Sequence, residues 1–230
     1  VHPVLIRNPH NEVTELVVDV GSDDPVSLRS ARFTLEGTDD VNDLETLELF
    51  SAGKSSGFSP EVPFGKASPA TRSIEFRGEL PLKRGPNLFW LSCRLKPGAD
   101  LSHQVGAVCV AVETTAGLIT AVDRAPGRTH RIGVALRKHN DDGVHTYRIP
   151  ALTATPKGTL LCVYDMRRRM GRDLQEDIDI GLSRSTNGGR SWEPVRVIMD
   201  MGESNGLPQS QNGCSDPGII VDGQTGEIFC

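Results

Sequence analysis

Arg148, Arg167 and Asp173 stand close together in the chain, and their side-chain types define what they could do. A guanidinium grips a planar anion through paired hydrogen bonds. A carboxyl group in a partly dry pocket can give a proton to a departing oxygen. Arg148 lies in Tyr147-Arg148-Ile149-Pro150. The proline ring is expected to press Ile149 into extended geometry and so hold the Arg head on stiff backbone. The plain alternative for Arg148 is an ion pair with a surface carboxylate. Asp173 reads either as a proton donor or as a solvated carboxylate in a loop. Glu176, Asp177 and Asp179 compete with it, although the last two look strand-borne. Asp216, ahead of Pro217, also suits a turn start. The basic run from Arg167 to Arg172 resembles a phosphate patch, but it lacks interleaved aromatics and sits on an acidic chain. Arg168, Arg169 and Arg172 are therefore expected to be solvated.

The elements that must position these residues are strands. The chain has 230 residues, 37% apolar and 24% charged, enough for a globular core. A net charge of −5 argues against nucleic acid or anionic membrane as partners. No run approaches a membrane span. The 24 glycines and 15 prolines punctuate short alternating runs, which describes an all-β chain. In residues 30–36, Ala31, Phe33 and Leu35 fall on one face. Further strands are expected at 16–20, 46–50, 73–80, 87–95 and 105–113, enough for a β-sandwich. The pattern breaks near 123–130, taken as the boundary between domains at 1–124 and 125–230. Beyond it, runs at 147–153, 159–165, 177–184 and 191–198 form four sequential antiparallel strands, as in a propeller blade. The five cysteines form no zinc-site spacing, and Cys93, Cys109 and Cys162 read as core residues. No phosphate loop or dinucleotide fingerprint is present, so neither metal nor cofactor is implied.

Tyr147-Arg148-Ile149-Pro150, then Asp173, then Ser185-Thr186-Asn187-Gly188-Gly189-Arg190-Ser191-Trp192 occur in an order that resembles the exo-α-sialidases (neuraminidases). The first looks like that family's Phe/Tyr-Arg-Ile-Pro motif. The third looks like its Asp-box, with Asn187 for the usual Asp and Ser191 for the usual Thr. The resemblance implies an N-terminal β-sandwich of carbohydrate-binding type, followed by the first one or two blades of a six-bladed catalytic propeller. It implies release of terminal sialic acid from glycoconjugates with retention of configuration. Asp173 would be the general acid, Arg148 would hold the sugar carboxylate, Arg167 would reach the 4-hydroxyl side and Asp216 would lie near the N-acetyl group. The Asp-box would be structural. The partners would be sialylated glycans. Because the family acts mainly on secreted or surface glycans, a secreted or periplasmic protein is expected, although the first residues lack a signal peptide.

One component is missing from the resemblance. Retaining sialidases use a Tyr nucleophile activated by a Glu. The chain has two tyrosines, Tyr147 and Tyr164, and neither stands where the family puts its nucleophile. Both ends of the chain are expected to be cut, and the segment is expected to be the front of a longer enzyme, inactive alone. Two rival readings stay open. One is a carbohydrate-binding module attached to a non-catalytic propeller, with Trp90 as its platform. In the other, the propeller is only a scaffold, which leaves Arg148, Arg167 and Asp173 unexplained.

Overall fold

A computed structural model describes residues 2–53, 57–67, 71–122 and 128–230. The expected break at 124 lies outside the described residues. The chain forms two compact units, Val1–Ala135 and Leu136–Cys230.

The first unit contains β1 (Val4–Ile6), β2 (Asn11–Val20), β3 (Val26–Thr34), β4 (Leu44–Gly53), β5 (Pro63–Ala67), β6 (Ser73–Leu82), β7 (Gly85–Leu95), β8 (Gln104–Gly106), β9 (Val108–Thr114), β10 (Gly117–Thr120) and β11 (Thr129–Val134). Two four-stranded sheets, in the orders β10-β9-β3-β6 and β2-β7-β4-β5, share one apolar cluster and make a sandwich. Their inner faces follow from the period of two. Ala31 and Phe33 of β3 are fully buried, as are Phe89 and Leu91 of β7. Phe33 meets Phe76 edge-on at 5.9 Å, and Phe64 meets Phe89 at 6.2 Å, the favoured aromatic geometry. The run expected as one strand at 105–113 is two. Ala107 separates β8, which pairs with β11, from β9, which pairs with β3. Trp90 lies outside the shared apolar cluster. It sits half-buried against Phe58, 6.4 Å between ring centres, with Phe58 in turn edge-on to Phe50 at 6.1 Å. Cys93 and Cys162 are buried and Cys109 is half-buried, all as free thiols, and burial pushes the Cys93 thiol up to about 12.

The second unit contains β12 (Thr146–Ala154), β13 (Leu160–Arg167), β14 (Ile178–Ser185), β15 (Arg196–Met199), β16 (Ile220–Val221) and β17 (Ile228–Phe229). The first four make one sheet in chain order, and β16 and β17 make a separate hairpin. This is one complete blade and the start of another. The β12–β13 turn closes with the Gly158 amide donating to the Thr155 carbonyl at 2.8 Å, Gly158 having φ of +77°.

The Asp-box shapes the next connection. The Ser191 amide donates to Asn187 Oδ1 at 3.0 Å, and Asn187 Nδ2 donates to Ser191 Oγ at 2.8 Å. The Trp192 indole N–H donates to the Gly189 carbonyl at 3.0 Å while its ring packs on a small cluster of Val144, Cys162, Tyr164 and Met166. Gly188 and Gly189 have φ of +70° and +85°. These contacts occupy residues 185–192, and Pro194 has no amide to give a ladder. The fourth strand therefore starts at Arg196 and not at 191. Among the described residues, no helix is long and apolar enough to cross a membrane.

Candidate functional site

Register decides which side chains share a face. In β12 and β13, Arg148 stands opposite Asp165, and Thr146 stands opposite Arg167. Directly opposed residues point to the same side of the sheet, and residues two apart on one strand do so as well. Arg148, Asp165 and Arg167 therefore share one face at one end of the blade.

Asp165 is the centre of this group. It is fully buried and forms an ion pair with the equally buried Arg167, whose Nε and Nη2 donate to Asp165 Oδ2 at 3.2 and 3.0 Å. Arg167 Nη1 donates to the Gly171 carbonyl at 3.0 Å, and Nη2 donates to Asp173 Oδ1 at 3.2 Å. The other oxygen of Asp165 accepts the Asp216 backbone amide at 2.9 Å. Burial pushes the Asp165 carboxyl above its ordinary range, against the opposing pull of the Arg167 guanidinium and the Asp216 amide. Asp165 went unnoticed in the sequence because an acid at a strand end carries no motif. The only available signal was its period-two relation to Arg167.

The four residues singled out from sequence fall around this ion pair. Asp173 is 67% exposed and touches Arg167 through one oxygen. Asp216 adopts φ of +59° and approaches Asp165 through its backbone. Arg167 is only 1% exposed and its guanidinium is largely occupied by protein acceptors. Arg148 is exposed, and among the described residues its guanidinium has no ion-pair partner.

Ile149 corrects an expectation. It is not extended but has φ of +51°, which is costly for a β-branched residue, roughly 1–3 kcal/mol. The cause is a bulge. The register slips between Arg148 and Ala151, so β12 carries one residue more than β13 there. Pro150 lends itself to this slip because it has no amide to lose. Bulges re-aim side chains, and this one follows directly after Arg148.

The basic run is also not what its composition implied. Arg168 is paired with the buried Asp179 at 2.5 Å. Arg169 Nη2 reaches both Glu176 oxygens, at 2.8 and 2.9 Å, and the Ser210 carbonyl at 2.9 Å. Arg172 alone of the three is exposed and unpaired among the described residues. These pairings remove Glu176 and Asp179 as free acids; Asp177 is half-buried, and Asp173 and Asp216 are the exposed carboxylates around the Arg167 pair.

Gly213 brings the 212–216 segment into place. A Cβ there would collide with the Glu176 carbonyl oxygen and come within 2.8 Å of the Ile178 amide nitrogen. The segment is pinned alongside by the Cys214 amide donating to the Ile178 carbonyl at 2.9 Å.

Both tyrosines point away from this face. The Tyr147 hydroxyl contacts the Asp141 carbonyl and Asp142 Oδ2, each at 3.1 Å, and burial together with the Asp142 charge pushes its pKa up. The Tyr164 hydroxyl bonds Ser183 Oγ at 2.6 Å and accepts from Arg137 at 3.1 Å. Neither is placed to attack a ligand held by Arg148. Among the described residues, no group of three or more His, Cys, Asp or Glu could hold a metal.

Known proteins similar to this chain are sialidases. A "Sialidase" of Bacteroides fragilis is 39% identical over 181 residues, which is 77% of this chain but 33% of that protein. A "Sialidase" of Micromonospora viridifaciens is 43% identical over 88 residues, 38% of this chain and 13% of that protein. Among solved structures, "Hadza microbial sialidase Hz136" matches 99% of this chain with a TM-score of 0.84 and 30% identity, and the match covers 48% of that chain. The chain thus spans a third or less of the curated relatives it matches. The family profile described as the N-terminal domain of BNR-repeat neuraminidase matches residues 1–116, the greater part of the first unit, and the chain belongs to that family.

Proposed function

We propose that the whole protein is an exo-α-sialidase, a retaining glycoside hydrolase that releases terminal sialic acid from glycoconjugates, and that this chain supplies part of its site. The observation that carries the reading is that one face of the first blade bears an exposed guanidinium, Arg148, with no ion-pair partner among the described residues, beside a buried ion pair to which the exposed loop carboxyl of Asp173 is anchored. Arg148 grips the sugar carboxylate, as a planar anion demands. Asp173 protonates the leaving oxygen as positive charge develops on the sugar ring. Arg167 holds Asp173 in place and contributes positive potential on the 4-hydroxyl side, and Asp216 stands toward the N-acetyl side. The nucleophile comes from outside this chain, since Tyr147 and Tyr164 are committed elsewhere. The division at 124, with a sandwich of carbohydrate-binding type ahead of the catalytic propeller, belongs to the same reading, as do sialylated glycans as partners and a secreted or periplasmic location for the whole protein.

Hydrolysis of a fluorogenic sialoside by the full-length protein tests this. Arg148→Ala is expected to raise KM and lower kcat/KM by about 100-fold, the loss of a charge-assisted grip. Residues 1–230 alone are expected to give no turnover. Full activity in Arg148→Ala, or in the isolated chain, would contradict the reading.

A further inference from the structure

We propose that Asp165 is a positioning residue of this site, the strut that aligns the acid Asp173 by way of Arg167 and fixes the loop carrying Asp216. The inference rests on the sialidase reading above and goes further, to a residue that no motif marks. Asp165 is fully buried and touches no solvent-facing ligand space, yet both of its oxygens are used and in different directions. One takes two donors from Arg167, which locks the guanidinium plane. That plane then fixes where its remaining N–H groups point, toward Gly171 and Asp173. The other oxygen takes the amide of Asp216, at a backbone position held at positive φ. One carboxylate thus joins two loops, 171–173 and 214–216, that lie far apart in sequence. A hydrophobic side chain would have filled the space at lower desolvation cost. The charge is explained by the geometry it imposes on Arg167.

This account has a kinetic signature. If Asp165 acts through the acid, its loss should matter most where the leaving group needs a proton and least where the leaving group departs unaided. The experiment measures the full-length protein on two sialosides, one linked to a sugar alcohol oxygen and one to a good aryl leaving group. For Asp165→Asn, kcat on the alkyl-linked sialoside is expected to fall about 100-fold, while the aryl sialoside loses only about 3-fold. Asp173→Asn, run beside it, should give the same split at larger amplitude. Equal losses on both substrates for Asp165→Asn, with the split intact in Asp173→Asn, would overturn the positioning role and leave the sialidase reading standing. Absence of the split in Asp173→Asn would overturn the reading itself. If Asp165→Asn does not fold, Arg167→Lys carries the test. A lysine keeps the charge but cannot reach Asp165, Gly171 and Asp173 together, so the same split is expected, and equal losses would again overturn the proposal.

Discussion

The two units are stabilised in different ways. In the first, the inner faces of both sheets are almost wholly apolar and merge in one cluster, with Phe33, Leu47, Phe89 and Leu91 at or near zero exposure. In the second, the shared apolar cluster is small, four residues around Tyr164. Its buried set includes Asp165, Arg167, Glu176, Asp179, Ser183 and Ser185. Burial in the first unit stabilises through area removed from water. In the second unit burial places charges, which contribute little net stability but fix geometry. Among the described residues, four of the five buried Asp, Glu and Arg side chains lie in the unit that carries the candidate chemistry, Asp43 being the exception.

The largest effect should appear where the apolar reading is strongest. Phe89→Ala is expected to destabilise the first unit by about 3–5 kcal/mol, measured by denaturant unfolding with Trp90 as reporter in a Trp192→Phe background. A loss below about 1 kcal/mol would break the contrast between the units.

Next in size is Arg167→Met, which strands a buried carboxylate at Asp165. It should cost the second unit about 3 kcal/mol at neutral pH, read through Trp192 in a Trp90→Phe background. The pH dependence follows from the sign of the shift. Burial already raises the Asp165 pKa, and without Arg167 the Asp216 amide is left to oppose it without a guanidinium. Stability in the variant is then highest at low pH and is lost as pH rises through that raised value. A deficit independent of pH would argue that packing, not charge, is what Arg167 supplies.

A smaller effect is expected at the Asp-box. Asn187→Ala removes the bonds to the Ser191 amide and hydroxyl and should cost about 1 kcal/mol without changing KM.

The smallest concerns His103, whose pairing with Asp43 at 2.8 Å raises its pKa in the first unit. The contribution is present below the ordinary histidine range and is lost as pH rises through the raised value. His103→Gln should flatten this slight decline in unfolding midpoint.

The same contrast explains what could be read from sequence. Period-two burial was legible wherever strands hide one face, as at Phe89 and Leu91. The Asp-box was legible because its bonds are local, spanning residues 185–192. The pairings of Arg168 with Asp179 and of Arg169 with Glu176 were not, because solvation and pairing look alike in composition and the partners meet only through the loop's path. Ile149 resisted for another reason. The local rule for a residue before proline was overridden by a register slip that only the neighbouring strand reveals. Asp165 has no local signature, since its meaning lies in two loops it joins from beneath.

A crystal structure of the full-length protein with an unsaturated sialic acid analogue bound tests the central claim most directly. The account predicts the ligand carboxylate within hydrogen-bond reach of Arg148 and a carboxyl oxygen of Asp173 facing the anomeric side. An analogue bound elsewhere, with Arg148 and Asp173 both open to solvent, would contradict it.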